Sequence, residues 1–185
     1  LLSDASHDVL QADTILIPQP SMRRWLQNQL AEDFGIAANL EFVPPGAFID
    51  RMLVPWSLPA SSQVLTHERL HWRLLRQLLD ERLLARPAFA PIASFLQAGD
   101  RQNRAWRLAG ELTQVYEKYQ AWRRPWLLTW SRNPPPTDWQ AQLWHHVSQG
   151  QSYRALTLEA YLTDLARTDC PKPPGLPARL SIFAC

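Results

Sequence analysis

Apolar residues follow two different spacings at the start of the chain. Residues 13–17 (Asp-Thr-Ile-Leu-Ile) end in three consecutive apolar side chains, which indicates a short buried strand that ends at Pro18. Apolar residues then recur every three or four positions, which predicts an amphipathic helix from Met22 onward. Ser21 is the expected cap of this helix and Gly35 its expected stop. The pattern is therefore a strand, a loop and a helix, the arrangement at which α/β proteins commonly bind ligands.

Helical spacing dominates the rest of the chain. A second short strand is expected over residues 39–42, followed by a turn at 44–46 and a short helix to Leu53. Four further helices are expected, and Arg124-Pro125 ends the second of them because proline disfavours a helical residue before it. A capping box over residues 137–140 opens the third. These four helices span residues 66–86, 100–122, 137–149 and 157–168.

The last apolar run, residues 180–184, predicts a final strand far from the first one in sequence. Strands this distant can be neighbours in one parallel sheet with helices packed on it or inserted between them. We therefore expect a helix-dominated α/β fold with a small parallel sheet, in which residues 60–170 form a largely helical insertion or subdomain. Because the chain begins without methionine and stops directly after an apolar run, residues 1–185 are expected to be a single-domain fragment that is truncated at both ends.

The composition favours arginine over lysine. Only Lys118 and Lys172 are lysines among the 19 basic residues, although the net charge is just +2. Arginine pairs with phosphate in a fork and stacks on bases, but codon usage in a genome rich in G and C would give the same bias. Two cysteines in no metal-binding or disulfide pattern fit a reducing cytoplasm. No apolar run approaches 18 residues, so no membrane partner is expected.

The sequence carries no recognisable catalytic pattern. All six glycines are isolated, and none precedes the Gly-Lys-Ser/Thr of a phosphate-binding loop, although a strand before Leu1 could carry such a site. His145 and His146 are adjacent and would point in different directions on a helix, so they are poor metal ligands. The acidic residues form no paired nuclease motif. We therefore expect no catalytic residues, no cofactor and no metal in this stretch.

Arginine beside aromatic residues is the remaining chemical signal. The stretch MRRWLQ places Arg23 and Arg24 in the first turn of a helix, where exposed backbone N–H groups favour an anion. YQAWRRPW puts Arg123 among aromatic residues, and SYRAL puts Arg154 just before a helix. Arginine on phosphates and aromatic planes on bases hold single-stranded nucleic acid. The same neighbours also occur where an arginine stem simply covers a core tryptophan.

The string MRRWLQNQLAEDFGIAANLEFVPPGAFI resembles the N-terminal region of the RecC family, the gamma subunits of exodeoxyribonuclease V. The resembling positions are a Met-x-x-Trp-Leu-Gln helix from Met22, the block Phe34 to Asn39, and a loop and helix around Pro45 and Phe48. Further similarity lies in YQAWRRPWL, AQLWHHV, YRALTLEAYL and PPGLPARLSIF, so it spans nearly the whole chain. The resemblance implies the first domain of a superfamily 1 helicase without a working ATP site.

The resemblance also implies positions that scan DNA. Family scanning positions correspond here to Pro18, Pro20, Arg24, Pro44, Asp50, Gln114, Val115, Glu117, Lys118, Arg123 and Arg154. Proline has no side-chain donor or acceptor, so base reading at Pro18 and Pro20 is lost or altered. Combined with the strand-loop-helix unit, the expected DNA-binding residues are Gln19, Ser21, Arg23, Arg24, Gln114, Glu117, Lys118, Arg123 and Arg154.

The resulting hypothesis is a non-catalytic DNA-channel domain of a recombination and repair nuclease complex. The resemblance implies partners, namely single-stranded DNA at a fork, a helicase-nuclease beta subunit and a helicase alpha subunit, and it implies scanning of the 3′-ended strand for a Chi-like sequence. One alternative is an ATP-driven helicase domain in its own right. Another is a scaffold domain that binds partner subunits without touching DNA.

Overall fold

The computed structural model describes residues 12–53, 63–167, 175–177 and 179–183. These residues form two compact units. The sheet unit contains the described residues up to Leu53 and those from Gly175 onward, and the helical unit contains residues 63–167. The fold is helix-dominated α/β with small parallel sheets.

The sheet unit is built on three parallel strands and two helices. Their bounds are β1 Asp13–Leu16, α1 Met22–Phe34, β2 Leu40–Val43, α2 Pro45–Leu53 and β5 Leu180–Ile182. The strand order in the sheet is β2-β1-β5. Ile15 lies opposite Phe42 on one side and Ser181 on the other. The first and last strands predicted from the sequence are therefore neighbours, as expected.

Burial on both sheet faces explains the consecutive apolar residues of β1. Ile15 and Ile17 pack with Leu26 of α1, whereas Leu16 packs with Phe48 and other residues of α2. Successive strand side chains point to opposite faces, so a strand that is covered on both faces needs apolar residues at every position.

Two local predictions at the helix starts are wrong. Ser21 has helical backbone angles (φ −61°, ψ −26°), and its side chain makes no capping bond. The N–H groups of Met22 and Arg23 instead donate to the carbonyls of Gln19 and Pro20, at 3.1 and 3.2 Å. Pro45, expected in a turn, opens α2, because the first helical turn needs no N–H donor from proline.

The helical unit packs its helices around one large apolar core. Its elements are β3 Gln63–Val64, α3 His67–Leu78, α4 Glu81–Leu84, a 3-10 turn Pro87–Phe89, α5 Ala90–Gln97, α6 Arg101–Trp122, α7 Arg124–Arg132, α8 Trp139–Ser148, β4 Gln151–Ser152 and α9 Arg154–Leu165. Helix α3 packs on α6 and α8, and α7 packs on α8. The core is dominated by leucines of α3, small residues of α6, and Trp144 of α8. Strands β3 and β4 pair in parallel.

Several boundaries differ from the predicted helices. The helix expected over residues 66–86 breaks after Leu78, because the Asp80 carboxylate accepts from Arg82 N at 2.9 Å and starts α4. Asp138, not Thr137, caps α8 by accepting from the N–H groups of its first turn. Helix α9 starts at Arg154, three residues before the expected Thr157.

The remaining comparisons with the sequence predictions concern whole elements and the chain end. Helices α5 and α7 and the β3–β4 pair were not predicted. The interruption at Arg124-Pro125 is correct, since α6 ends at Trp122 and α7 restarts at Arg124. The final strand ends at Ile182, and Ala184 of the predicted strand lies outside the described residues.

Candidate nucleic-acid interface

Helix α6 presents an exposed polar stripe that ends in a tryptophan. Gln114, Lys118 and Trp122 are spaced four residues apart, so they follow one face of the helix. All three side chains are exposed, and Trp122 is 81% exposed. Most of the Trp122 indole is therefore in contact with solvent and not with the described residues.

Arg123 ends α6 and lies over an aromatic cluster. Its backbone (φ −130°, ψ 35°) leaves the helix, while its N–H still donates to Tyr119 O at 2.8 Å. The guanidinium carbon lies 5.2 Å from the ring centre of Trp126, a cation–π contact. Tyr119, Trp126 and Trp130 surround one another with ring centres 5.9 to 6.0 Å apart. The exposed cation therefore rests on a packed aromatic support.

The start of α9 is anchored beneath this region. Tyr153, 3% exposed, is bonded to Ser131 through the two hydroxyls at 2.6 Å and packs edge-on against Trp144. Burial raises the pKa of the Tyr153 phenol. Helix α9 packs on α6 and α7, so the anchor fixes Arg154, the first and half-buried residue of α9, beside these helices.

Not every family-implied position in the helical unit faces solvent. The Glu117 carboxylate is partly exposed and already paired, since its Oε1 lies 2.9 Å from His67 Nδ1 of α3. Val115 is partly buried. Gln114 and Lys118 are exposed on the same stripe.

The family-implied residues of the sheet unit are mostly exposed. Gln19, Ser21, Arg23 and Arg24 are all open to solvent around the start of α1. The Arg23 guanidinium lies 5.8 Å from the ring centre of Phe42. Since the first two amide groups of α1 already bond to carbonyls, an anion here would have to be held by side chains more than by backbone N–H groups.

The other implied positions of the sheet unit are loop or helix-surface residues. Pro18, Pro20 and Asp50 are exposed, and Pro44 is partly buried. The implied residues thus lie in both units: Pro18, Pro20, Arg24, Pro44 and Asp50 belong to the sheet unit, and those from Gln114 to Arg123, with Arg154, belong to the helical unit.

Sequence reasoning missed the groups that support Arg123 and its neighbour. Glu159 Oε2 lies 3.3 Å from Arg124 Nε and links α9 to α7. Trp130, which packs under Trp126, was also missed because α7 was not predicted. The repeat of Trp126 and Trp130 at a four-residue spacing was the available signal for that helix.

The described residues offer no metal-binding group of three or more histidine, cysteine or acidic side chains. None of the described helices is both long and apolar enough to cross a bilayer.

Comparison with known proteins gives the family of the chain. The model of the family described as RecC, N-terminal domain, matches residues 1–185. The chain belongs to this RecC family. It is 29% identical to RecBCD enzyme subunit RecC of Escherichia coli, over 96% of this chain. The subunits of the same name from Haemophilus influenzae and Mycolicibacterium smegmatis are 26% and 28% identical, over 95% and 99% of it.

The match covers only part of these RecC proteins. The chain spans 17% of the length of the Escherichia coli subunit and 18% of the Haemophilus influenzae subunit. Most of the length of these relatives therefore lies outside the match with this chain.

Proposed function

We propose that this RecC-family domain is a non-catalytic, single-stranded DNA-binding domain of a RecBCD-type recombination and repair complex. The observation that carries the proposal is the exposed Trp122 next to Arg123, whose guanidinium rests on Trp126. Flat aromatic faces beside cations suit a strand with unpaired bases, because every base has a stacking face and every linkage carries a charge.

In the proposed mechanism the domain binds the DNA strand and neither makes nor breaks a covalent bond. The indole of Trp122 stacks on a base, while Arg123 and Lys118 contact phosphates on either side. Arg154 extends this contact along the start of α9. Phosphate contacts of this kind hold the strand whatever its sequence, and base-edge contacts add any preference.

The finer part of the proposal concerns which strand is held and by which assembly. The unwound 3′-ended strand passes the domain, which scans it for a Chi-like sequence within a complex with a helicase-nuclease beta subunit and a helicase alpha subunit. The fold is proposed to be that of an inactive superfamily 1 helicase domain. Gln19, Ser21, Arg23 and Arg24 are the proposed DNA-binding residues of the sheet unit, and Gln114 and Glu117 are further proposed DNA-binding residues on α6.

The test is fluorescence anisotropy of a labelled oligothymidine with the chain over a series of salt concentrations. The double variant Trp122→Ala/Arg123→Ala should weaken binding about tenfold or more, because one stacked base and one phosphate contact are lost. The salt slope should also fall by about 0.7. Arg82→Ala is the control, since Arg82 is an exposed arginine on α4 whose loss changes the net charge equally. Equal losses in the two variants would refute a local site.

The second candidate function is a scaffold that binds partner subunits only. It is favoured by the internal use of a cation at the same corner, since Arg124 pairs with Glu159. Crosslinking of the α6–α7 corner to partner subunits but not to DNA would support it, and crosslinking to DNA would exclude it.

A further inference from the structure

A second exposed aromatic surface lies at the middle of the α3–α6 pair. We call Trp72, Leu79 and Trp106 the α3–α6 patch. Trp72 is 60% exposed, Trp106 47% and Leu79 40%. The two indoles meet edge to face, with ring centres 5.3 Å apart and planes at 68°. Exposed contiguous apolar side chains of this size mark interaction surfaces.

The helix geometry keeps this patch away from the core. Leu70 and Leu74 face the core, and each lies two positions from Trp72, which places the indole about 200° around the helix from them. Helices α3 and α6 are antiparallel, since His67 meets Glu117 at one end and Arg101 reaches Leu79 O at the other. Two antiparallel helices leave a long shallow seam, and Trp72 and Trp106 meet across this one.

The patch is also distinct from the proposed DNA site. Trp106 and Trp122 lie on the same helix, 16 positions apart, which corresponds to about 24 Å along its axis. Trp106 faces α3 and contacts His71, with ring centres 4.3 Å apart. Trp122 follows the opposite, solvent-facing stripe with Lys118. The two surfaces can therefore be altered independently.

The charges around the patch are mainly positive. Arg76 lies one turn after Trp72 on the same face, and Arg107 follows Trp106. Neither arginine forms an ion pair within the described part of the chain. Burial, and then the nearby Arg76 charge, lowers the pKa of Arg73. The acidic residues close to the patch are Glu68, one turn before Trp72, and Glu111, one turn after Arg107, whereas Asp80 caps α4 and Glu81 pairs with Arg101.

Two neighbouring arginines are already used by the fold. Arg73 Nε donates to Val147 O at 2.7 Å, and Arg69 donates to Val64 O at 3.1 Å. The charges left for a partner are therefore those of Arg76 and Arg107, one on each helix of the pair.

We propose that the α3–α6 patch is a docking site for an amphipathic helix with acidic side chains, supplied by a partner subunit of the complex. The apolar face of such a helix covers Trp72, Trp106 and Leu79, and its carboxylates meet Arg76 and Arg107. Tryptophan and arginine are the residues that most often dominate protein interfaces. The edge-to-face indoles cover part of each other and so leave less open ring face for a base to stack on, which makes the surface fit a helix better than a nucleic-acid strand.

This inference rests on the proposed membership of a RecBCD-type complex, and its test separates the two. The full-length polypeptide that contains this domain is mixed with the purified helicase-nuclease and helicase partners, and association is measured by sedimentation velocity and by titration. Trp72→Ala/Trp106→Ala should weaken association about 30-fold or more, as expected for two hot-spot residues. Arg76→Glu/Arg107→Glu, which leaves the indoles in place, should also weaken it, and Trp72→Phe/Trp106→Phe should restore most of it.

The reciprocal control is Trp122→Ala, which removes an exposed tryptophan of the same helix. It should leave subunit association unchanged while weakening oligothymidine binding. Association within threefold of wild type in both Trp72→Ala/Trp106→Ala and Arg76→Glu/Arg107→Glu would overturn the proposal, as would loss of oligothymidine binding in those two variants. If Trp122→Ala leaves DNA binding intact while the patch variants still fail to assemble, the DNA function fails and the docking site stands.

Discussion

Arg124 Nε lies 3.3 Å from Glu159 Oε2, and this ion pair connects the first residue of α7 to α9. The contact does not have hydrogen-bond geometry, and the buried Nε atom has no other hydrogen-bond acceptor among the described residues. The negative charge of the Glu159 carboxylate therefore offsets the positive charge of the partly buried Arg124 guanidinium. Arg124 directly follows Arg123, so the pair ties the residue next to Arg123 to α9.

Glu159→Ala should destabilise the chain by about 1 kcal/mol, because it leaves the Arg124 charge without its counter-charge. Urea denaturation followed by tryptophan fluorescence measures this change. Glu111→Ala is a matched control on the exposed face of α6 and should change the free energy of unfolding by less than about 0.5 kcal/mol. Equal effects from the two variants would mean that the pair contributes nothing beyond a surface charge.

Local patterns in the sequence determine what could be predicted of the fold. Ile15 to Ile17 were recognisable as a strand because burial on two faces needs consecutive apolar residues. The break between α3 and α4 was hidden, since Leu83 continues the apolar repeat into the same core although Asp80 starts a new helix. Periodicity reports which residues are buried and does not report where the backbone is interrupted.

The same limit applies to the candidate interface. Arg123 and Trp126 are neighbours in sequence, so their contact could be anticipated from YQAWRRPW. The Arg124–Glu159 pair and the Trp72–Trp106 pair join different helices, and no local pattern encodes them.

Gly110→Ala should stabilise the chain by about 0.5–1 kcal/mol. Gly110 lies inside α6, where glycine costs conformational entropy relative to alanine. An added Cβ would meet His71 Cε1 at 3.8 Å, which is ordinary van der Waals contact. Gly35→Ala should instead destabilise the chain, because Gly35 has a φ of +79°, which is strained for a residue with a Cβ atom. Thermal unfolding of both variants tests the pair, and a destabilising Gly110→Ala would show that α3 and α6 cannot accommodate one methyl group.

Mild acid should destabilise the helical unit through His146. Burial first, and then the positive charge of Arg86, whose Nη1 is 3.3 Å from His146 Nε2, lowers the pKa of His146. The unfolded chain therefore binds a proton more readily than the folded chain, and stability falls as the pH decreases below about 6.5.

Proton NMR titration of the imidazole and urea denaturation between pH 7.5 and 5.5 follow this effect. Arg86→Gln should raise the pKa of His146 and reduce the acid loss without altering the ring. An unchanged titration of the imidazole in Arg86→Gln would show that the arginine charge does not act on it.

Alkaline conditions should destabilise the chain through Tyr116. This residue is fully buried, and its hydroxyl donates to Gln140 O at 2.8 Å. Burial raises the pKa of Tyr116 well above its usual value, with a smaller contribution from Asp138. Between about pH 10 and that raised value only the unfolded chain loses the phenolic proton, so stability falls by up to about 1.4 kcal/mol per pH unit.

Tyr116→Phe should lower stability by about 1 kcal/mol at pH 7, because the Gln140 carbonyl loses a donor, and should make the alkaline loss shallower. Denaturation at pH 7, 10 and 11 measures both effects, and the ultraviolet absorbance of tyrosinate shows whether Tyr116 ionises only as the chain unfolds. Parallel pH profiles for wild type and Tyr116→Phe would exclude this phenol as the source of the alkaline loss.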